Sequence, residues 1–284
     1  MKSQELNISG QLGIKVSRLF DQPTHLYYRG HLDIEALLSR PCVGVVGTRT
    51  PTAYGKSIVD KLVSELTRHN IVIISGLALG IDCLAHQACL KTNGQTIAVL
   101  PSGIDRLYPS TNASVGRQIE DSGLLISEYS GDGSPRHDQF IARNRIIAAL
   151  SDVLVIPEAA DRSGSLHTAR FALEMGIPVM AVPGPITSRL SEGCNRLIAQ
   201  GATPILSAQD ILRELEIDNP ISTDYAPDTE AESKILEALN QGATDGAAIR
   251  LASGLTPELY LQTLTMLEIK GIIKALGGDQ WGRL

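Results

Sequence analysis

The sequence predicts a doubly wound α/β domain on a mostly parallel sheet, followed by a small helical domain. Six short runs are apolar almost throughout instead of alternately: Cys42 to Val46, Ile71 to Ile74, Thr96 to Leu100, Leu124 to Ser127, Val153 to Ile156 and Val179 to Val182. A strand loses its alternation when both its faces are buried, and crossover helices between parallel neighbours bury both. Segments of helical period separate the runs. Glycine loops follow four of them: Gly47-Thr48-Arg49, Ser75-Gly76, Pro101-Ser102-Gly103 and Ser163-Gly164-Ser165. In doubly wound sheets ligands bind beyond the carboxyl ends of the strands, where all four loops fall.

Taken in order, residues 1–40 have weak periodicity and form a lead-in, a flap on the sheet that ends in an edge strand at Leu26 to Gly30. Residues 41–217 form the α/β domain. Its first strand runs into Gly47-Thr48-Arg49 and then, past Pro51, a helix marked by Tyr54, Ile58, Leu62 and Leu66. The same grammar repeats through the strand at Val179, and a helix near Asn195 to Gln200, a short strand near Pro204 and a helix at Ala208 to Leu215 complete the domain. Residues 218–230, DNPISTDYAPDTE, are polar with two prolines and read as a linker. Residues 231–284 then carry three short apolar-periodic helices, around Ile235, Ile249 and Leu264, and a glycine-bearing ribbon after Ile272. That is the order of a winged helix-turn-helix.

The chain is organised around Asp138 to Gly184. A helix carrying Arg143, Asn144 and Arg145 precedes a βαβ unit whose loop Arg162-Ser163-Gly164-Ser165 opens a helix. Gly164 lets backbone approach a ligand, free N–H groups at Leu166 to Thr168 mark the helix start, and Ser163, Ser165 and Thr168 add hydroxyls. Arg143 and Arg145 offer planar forks suited to phosphate oxygens. The plainer readings are that Ser165 only caps the helix and that the arginines lie on a solvated face. Phe140 offers either a stacking surface or core packing beside Ile141 and Ile146. Arg49 adds a cation at the end of the first strand, and Lys56, one turn into the next helix, a weaker backbone contact.

Composition excludes several function classes. The formal net charge of −6 argues against wholesale coating of nucleic acid, yet leaves room for a local basic cleft. Cys42, Cys83, Cys89 and Cys194 form no C-x-x-C pair and stand at no zinc spacing, so they read as buried residues in a reducing compartment and no metal or other cofactor is expected. Neither a leader at Met1 nor an 18-residue apolar run is present, which points to a cytoplasmic protein without membrane contact. Walker lysine, paired catalytic carboxylates and Ser-His-Asp order are all missing. His137 and His167 fall near the expected cleft, but lone histidines are more commonly surface residues.

SGLALGID, PSGIDRLYPSTN, FIARNRIIAALS, the run from Glu158 through SGSLHTA to AVPG, and GCNRLI occur in the order and spacing of the DNA-processing protein A (DprA/Smf) family, which the chain resembles over about residues 23 to 210. The resemblance implies an extended Rossmann domain that binds single-stranded DNA, forms homodimers and helps place the RecA recombinase on incoming strands during natural transformation. It also implies a winged-helix-like appendage. Gly47, Thr48 and Arg49 stand where the family shows Gly-Ser-Arg, and Phe140, Arg143, Asn144 and Arg145 stand in its F-P-x-R-N-R run; Ser163, Gly164 and Ser165 match as well. Leu79 replaces an arginine of the family pattern, Ile141 a proline, and Thr48 a serine. Losing the arginine removes a phosphate donor.

Two other classes compete. A related branch hydrolyses nucleoside monophosphates through P-G-G-x-G-T-x-x-E, but three residues past Thr168 this chain has Phe171, which handles no proton. Glu158 and Asp82 remain near strand ends, as caps or arginine partners. A nucleotide sensor without turnover is the other alternative. For the C-terminal domain, nine acidic residues against five basic ones between Ile221 and Leu284 point to a protein-contact module and not to a reader of duplex DNA.

Overall fold

All six apolar runs become strands of one sheet in the computed structural model, which describes residues 3–217 and 227–283. Two compact units divide the chain, Met1–Pro220 and Ile221–Leu284. The first begins β1 (Gln4–Glu5), α1 (Gly10–Val16), β2 (Tyr27–Gly30), α2 (Ile34–Leu38), β3 (Cys42–Val45) and α3 (Ala53–Arg68). It continues β4 (Val72–Ser75), α4 (Ile81–Lys91), β5 (Thr96–Gly103), α5 (Ala113–Ser122), β6 (Leu124–Tyr129) and α6 (His137–Leu150). It closes with β7 (Val153–Ile156), α7 (Ser165–Glu174), β8 (Val179–Ala181), α8 (Glu192–Ala199), β9 (Thr203–Pro204) and α9 (Ala208–Glu214). Strand order across the sheet is β1-β2-β6-β5-β4-β3-β7-β8-β9. From β6 to β9 every pairing is parallel, and β2 and β1 are antiparallel additions at one side.

The order follows from which faces the helices cover. The chain lays β3, β4, β5 and β6 outward in one direction, then returns through α6 to place β7 on the other side of β3. One core layer packs α3, α4 and α9 on the sheet through Val59, Leu62, Leu66, Ala85 and Ile211. The opposite layer packs α1, α2, α6, α7 and α8 through Leu12, Leu37, Ile147, Ala169 and Leu197. Both faces of β3, β4 and β7 are therefore buried at every position. The reversal between β3 and β7 is a topological switch point, which opens a crevice at the carboxyl ends of those strands.

The N-terminal segment corrects the expectation of a flap. Residues 3–40 are part of the sheet unit: β2 pairs in register with β6, and β1 rather than β2 is the edge. Two exposed polar residues make up β1, so no periodicity betrayed it. Lys15 of α1 is buried and donates to Asp152 Oδ1 at 2.6 Å, while Asp152 Oδ2 accepts from the Cys42 N–H at 2.9 Å. One carboxylate thus ties α1 to the starts of β3 and β7.

In the second unit, α10 (Glu230–Asn240), α11 (Gly246–Ser253) and α12 (Pro257–Ile269) precede a ribbon of β10 (Ile273–Gly277) and β11 (Gln280–Arg283). Its core is Ile235, Leu236, Ile249, Tyr260, Leu264, Leu267 and Ile273. Of the expected linker 218–230, residues 218–226 lie outside the described residues; the Thr229 hydroxyl accepts from the Glu232 N–H, so α10 begins at Glu230, within that span. Leu251 of α11, two residues after the buried Ile249, is exposed. On α12, Leu261, Met266 and Ile269 are also exposed beside Glu258 and Glu268, and Lys270 is engaged by Asp228 and Glu232 at 2.7 Å each.

Candidate functional site

The switch point holds a cavity of about 650 Å³. Its walls come from the loop after β3 (Gly47 to Thr50), the start of α4 (Asp82), α6 (His137, Phe140, Ile141, Arg143, Asn144) and the loop and first turn of α7 (Ser163, Gly164, Ser165, His167, Thr168). Tyr108 and Leu190 also line it. A smaller notch beside it is walled by Gly76, Leu79, Pro101 and Pro109 and shares Arg49, Tyr108, Phe140 and Arg143 with the main cavity.

Close backbone packing holds the Gly47-Thr48-Arg49 loop. A Cβ on Gly47 would lie 2.7 Å from the Ile81 side chain and 2.8 Å from the Glu158 carbonyl oxygen. The Thr48 N–H donates to that carbonyl at 2.8 Å, and the Thr48 carbonyl accepts from the Ile81 N–H at 3.1 Å. Gly80, at φ +80°, would place a Cβ 2.3 Å from Thr48 O. Gly80→Ala should therefore destabilise the unit by at least about 1 kcal/mol and weaken ligand binding, because neither backbone can yield without moving the loop. Thermal melting and binding measured on the same preparation would check this, and a variant as stable as the parent would count against the packing argument.

Held this way, the Arg49 side chain is exposed and forms no ion pair with any described residue. Its guanidinium carbon lies 5.6 Å from the centroid of the Phe140 ring, and Tyr108 meets that ring edge-on at 5.7 Å. Phe140 is half-buried at the mouth of the cavity instead of packed into the core.

The two arginines of α6 depart from the expected phosphate forks. Arg143 is buried, and its Nη1 donates to Gly76 O at 2.6 Å and to Val99 O at 2.5 Å, while Nε donates to Asn144 Oδ1. Burial pulls its pKa down to about 10, opposed by the attraction of Asp82, so it stays charged at neutral pH. Arg145 is on another side of the helix, off the cavity, bound to the Glu128 carboxylate and to Asp21 O. Residues two apart on a helix do not face the same way, and that is why Arg-x-Arg delivers no paired fork. Lys56 likewise lies on the exposed side of α3, away from the cavity lining. Ser75 is buried and spends its hydroxyl on Val45 O at 2.6 Å, stapling β4 to β3. Gly76 is pressed against Arg143, whose guanidinium a Cβ would meet at 2.4 Å.

The α7 end also differs from expectation. Leu166 N–H donates to Ser163 O and His167 N–H to Gly164 O, so these helix-start donors are consumed by the tight turn that enters the helix. Gly164 is the N-cap, with ordinary φ of −60° and nothing within 4 Å of a built Cβ, which leaves room over the loop. Ser163 and Ser165 bond each other through their hydroxyls at 2.8 Å, and the buried Thr168 hydroxyl has no partner. Asn144 Nδ2 reaches toward Gly164 O at 3.5 Å.

The carboxylates near the site are committed elsewhere. Glu158 accepts from the Thr52 N–H and hydroxyl at 2.8 and 2.5 Å, capping α3. Asp82 is buried and accepts from Gly76 N–H; burial raises its pKa, against the pull of Arg143. Phe171 packs against the core layer. All four cysteines are buried and free, with burial pushing Cys42, Cys89 and Cys194 up to about 12. No helix among the described residues is long and apolar enough to cross a membrane. Tyr108 and Leu190 are among the lining residues that the sequence does not reveal, because loop residues at positions without periodicity carry no local signal; His137 and His167 do line the cavity.

The family model for DNA recombination-mediator protein A matches residues 11–216. DNA processing protein DprA of Streptococcus pneumoniae is 44% identical over 201 residues, 71% of this chain and 70% of the relative. Protein Smf of Escherichia coli is 37% identical over 270 residues, 91% of this chain and 71% of the relative. A solved structure of DNA processing protein A from Helicobacter pylori, concerned with that protein's single-stranded DNA binding mode, superposes with a TM-score of 0.69 at 36% identity, covering 76% of this chain and 97% of that one.

Proposed function

Because the chain belongs to the DNA recombination-mediator protein A family, we propose that the cavity between β3 and β7 holds the backbone of single-stranded DNA, with Phe140 as a platform for a base. The observation that carries this is Arg49, exposed and without an ion pair among the described residues, lying over the Phe140 ring at the cavity mouth. A cation for phosphate and an aromatic face for a base, side by side, are the two parts that single-strand binding needs. A duplex hides its base faces in the stack, so the ring selects against it. Gly47 and Thr48 set Arg49 in place, Asn144, Ser163, Ser165 and Thr168 supply polar contacts around the room over Gly164, and Gly76 with Arg143 forms the floor.

On this reading the protein acts in the cytoplasm in recombination and natural transformation, as a homodimer that hands strands to the RecA recombinase. It binds without turnover, since Glu158 and Asp82 are engaged in the scaffold. The C-terminal unit serves as a protein-contact module, supported by the exposed Leu261 and Ile269 of α12 next to Glu258 and Glu268.

A comparison of single-stranded oligonucleotide, matched duplex and mononucleotide by fluorescence anisotropy tests the reading. The single strand should bind most tightly. If three to five phosphates are neutralised, the logarithmic salt slope should be about −2 to −4. Equal affinity for duplex, or an affinity indifferent to salt, would exclude it.

A further inference from the structure

His137 and His167 line the same cavity from two different helices, His137 as the first residue of α6 and His167 in the first turn of α7. Both are exposed, and neither imidazole makes a hydrogen bond or ion pair with a described residue. The Leu166 and His167 N–H groups at the entrance to α7 are spent on Ser163 and Gly164, and Arg143 is spent on Gly76 and Val99. Once these are discounted, Arg49 is the one exposed arginine or lysine in the cavity lining. A strand phosphate there lacks the second cation that two-sided neutralisation needs, and the two imidazoles stand where that charge is missing.

We infer that His137 and His167 are phosphate contacts of the bound strand and that they take up protons as it binds. This rests on the reading of the cavity as the single-strand site. Histidine changes charge between about pH 5 and 8. A neighbouring phosphate favours the charged imidazolium and gains a charge-assisted hydrogen bond from it. The complex then carries more protons than the free protein, so affinity rises as pH falls through the titration of the complex and levels off below that of the free protein. The slope is at most about one logarithmic unit of affinity per pH unit for each histidine. The other charged or titratable groups facing the cavity are Arg49, Tyr108, Arg143, which burial lowers only to about 10, and the buried Asp82. Beside His137, Arg136 and Asp138 are exposed and paired with each other at 3.0 Å.

The test is the affinity of the full-length chain for a short oligothymidylate at about pH 8 and about pH 6, at fixed ionic strength. Wild-type protein should bind roughly tenfold more tightly at the lower pH, consistent with the linkage slope. The His137→Gln/His167→Gln variant should lose most of that gain, and His31→Gln, an exposed histidine outside the cavity, should keep it. Both cavity positions are exposed, so glutamine there leaves the core intact. A parallel readout follows the imidazole Cε1–H resonances during a pH titration with and without the oligonucleotide; two of them should titrate at higher pH in the complex. A pH response that survives in the double variant would assign the proton to another group, Asp82 first, and overturn the inference. A flat wild-type response overturns it equally. Absence of strand binding at both pH values would instead remove the function proposed for the cavity, and with inorganic phosphate as probe the same resonances would then decide whether the two histidines bind anions at all.

Discussion

Arg143→Ala should cost the folded chain about 3 to 5 kcal/mol, a loss normally associated with breaking a buried charge pair and leaving one partner alone. The guanidinium holds the carbonyls of Gly76 and Val99, fastening the end of β4 and the middle of β5 to α6, and is the principal positive charge near buried Asp82. Without it, two carbonyls and a carboxylate lose their compensation at once. Any loss of DNA binding in this variant should track the loss of fold: denaturant unfolding should show a lowered midpoint before binding is considered. Pairing the change with Asp82→Asn should recover part of the stability, because it removes the stranded charge. A variant that melts like the parent but binds DNA poorly would show that Arg143 contacts the strand directly.

Arg49→Ala should leave the melting temperature near that of the parent and weaken single-strand binding by tenfold or more, in keeping with about 1.5 to 3 kcal/mol for a charge-assisted hydrogen bond. Phe140→Leu should also weaken binding, by about 1 to 3 kcal/mol, the range for a base stacked on an aromatic ring. The two losses should not add. In the free protein the guanidinium already covers the ring at 5.6 Å, so a base reaches Phe140 only by displacing the cation or by stacking upon it. A double-mutant cycle measured by anisotropy should return a coupling outside the roughly 0.5 kcal/mol expected of independent sites. Strict additivity would mean that cation and ring serve separate parts of the strand.

The fold was largely legible because parallel strands buried on both faces write their apolar runs locally, and Val153 to Ile156 needed no tertiary information to be read. What escaped was β1, two exposed residues recruited by pairing alone, and with it the place of β2 inside the edge. The site was legible in its loops and less so in its side chains. Arg143 and Arg145 look alike in sequence, yet one faces β-strand carbonyls and the other Glu128, since helical geometry separates neighbours two apart. The glycines were readable in part: Gly47 is required by close backbone approach, whereas Gly164, which looked the same in sequence, has open space around it. Tyr108 reaches the cavity through a loop whose course depends on contacts far away in sequence, and no local pattern encodes that.

The pairing of β3 with β7 also has a consequence in time. Val43 lies against Val153, while β4, β5 and β6 are added to the sheet one after another in the order of synthesis. Long-range closures of this kind are slow compared with local ones, and domains on a growing chain become complete only when their last partners emerge. A nascent chain that has exposed β3 through β6 can begin its sheet, yet it has neither α6 nor the loop before α7, so the walls of the cavity do not exist. The capacity to hold a nucleic acid arrives with the return strand, late and all at once. A partly made copy offers Arg49 without Phe140, so on the proposed reading of the cavity it has no site with which to detain DNA beside the ribosome.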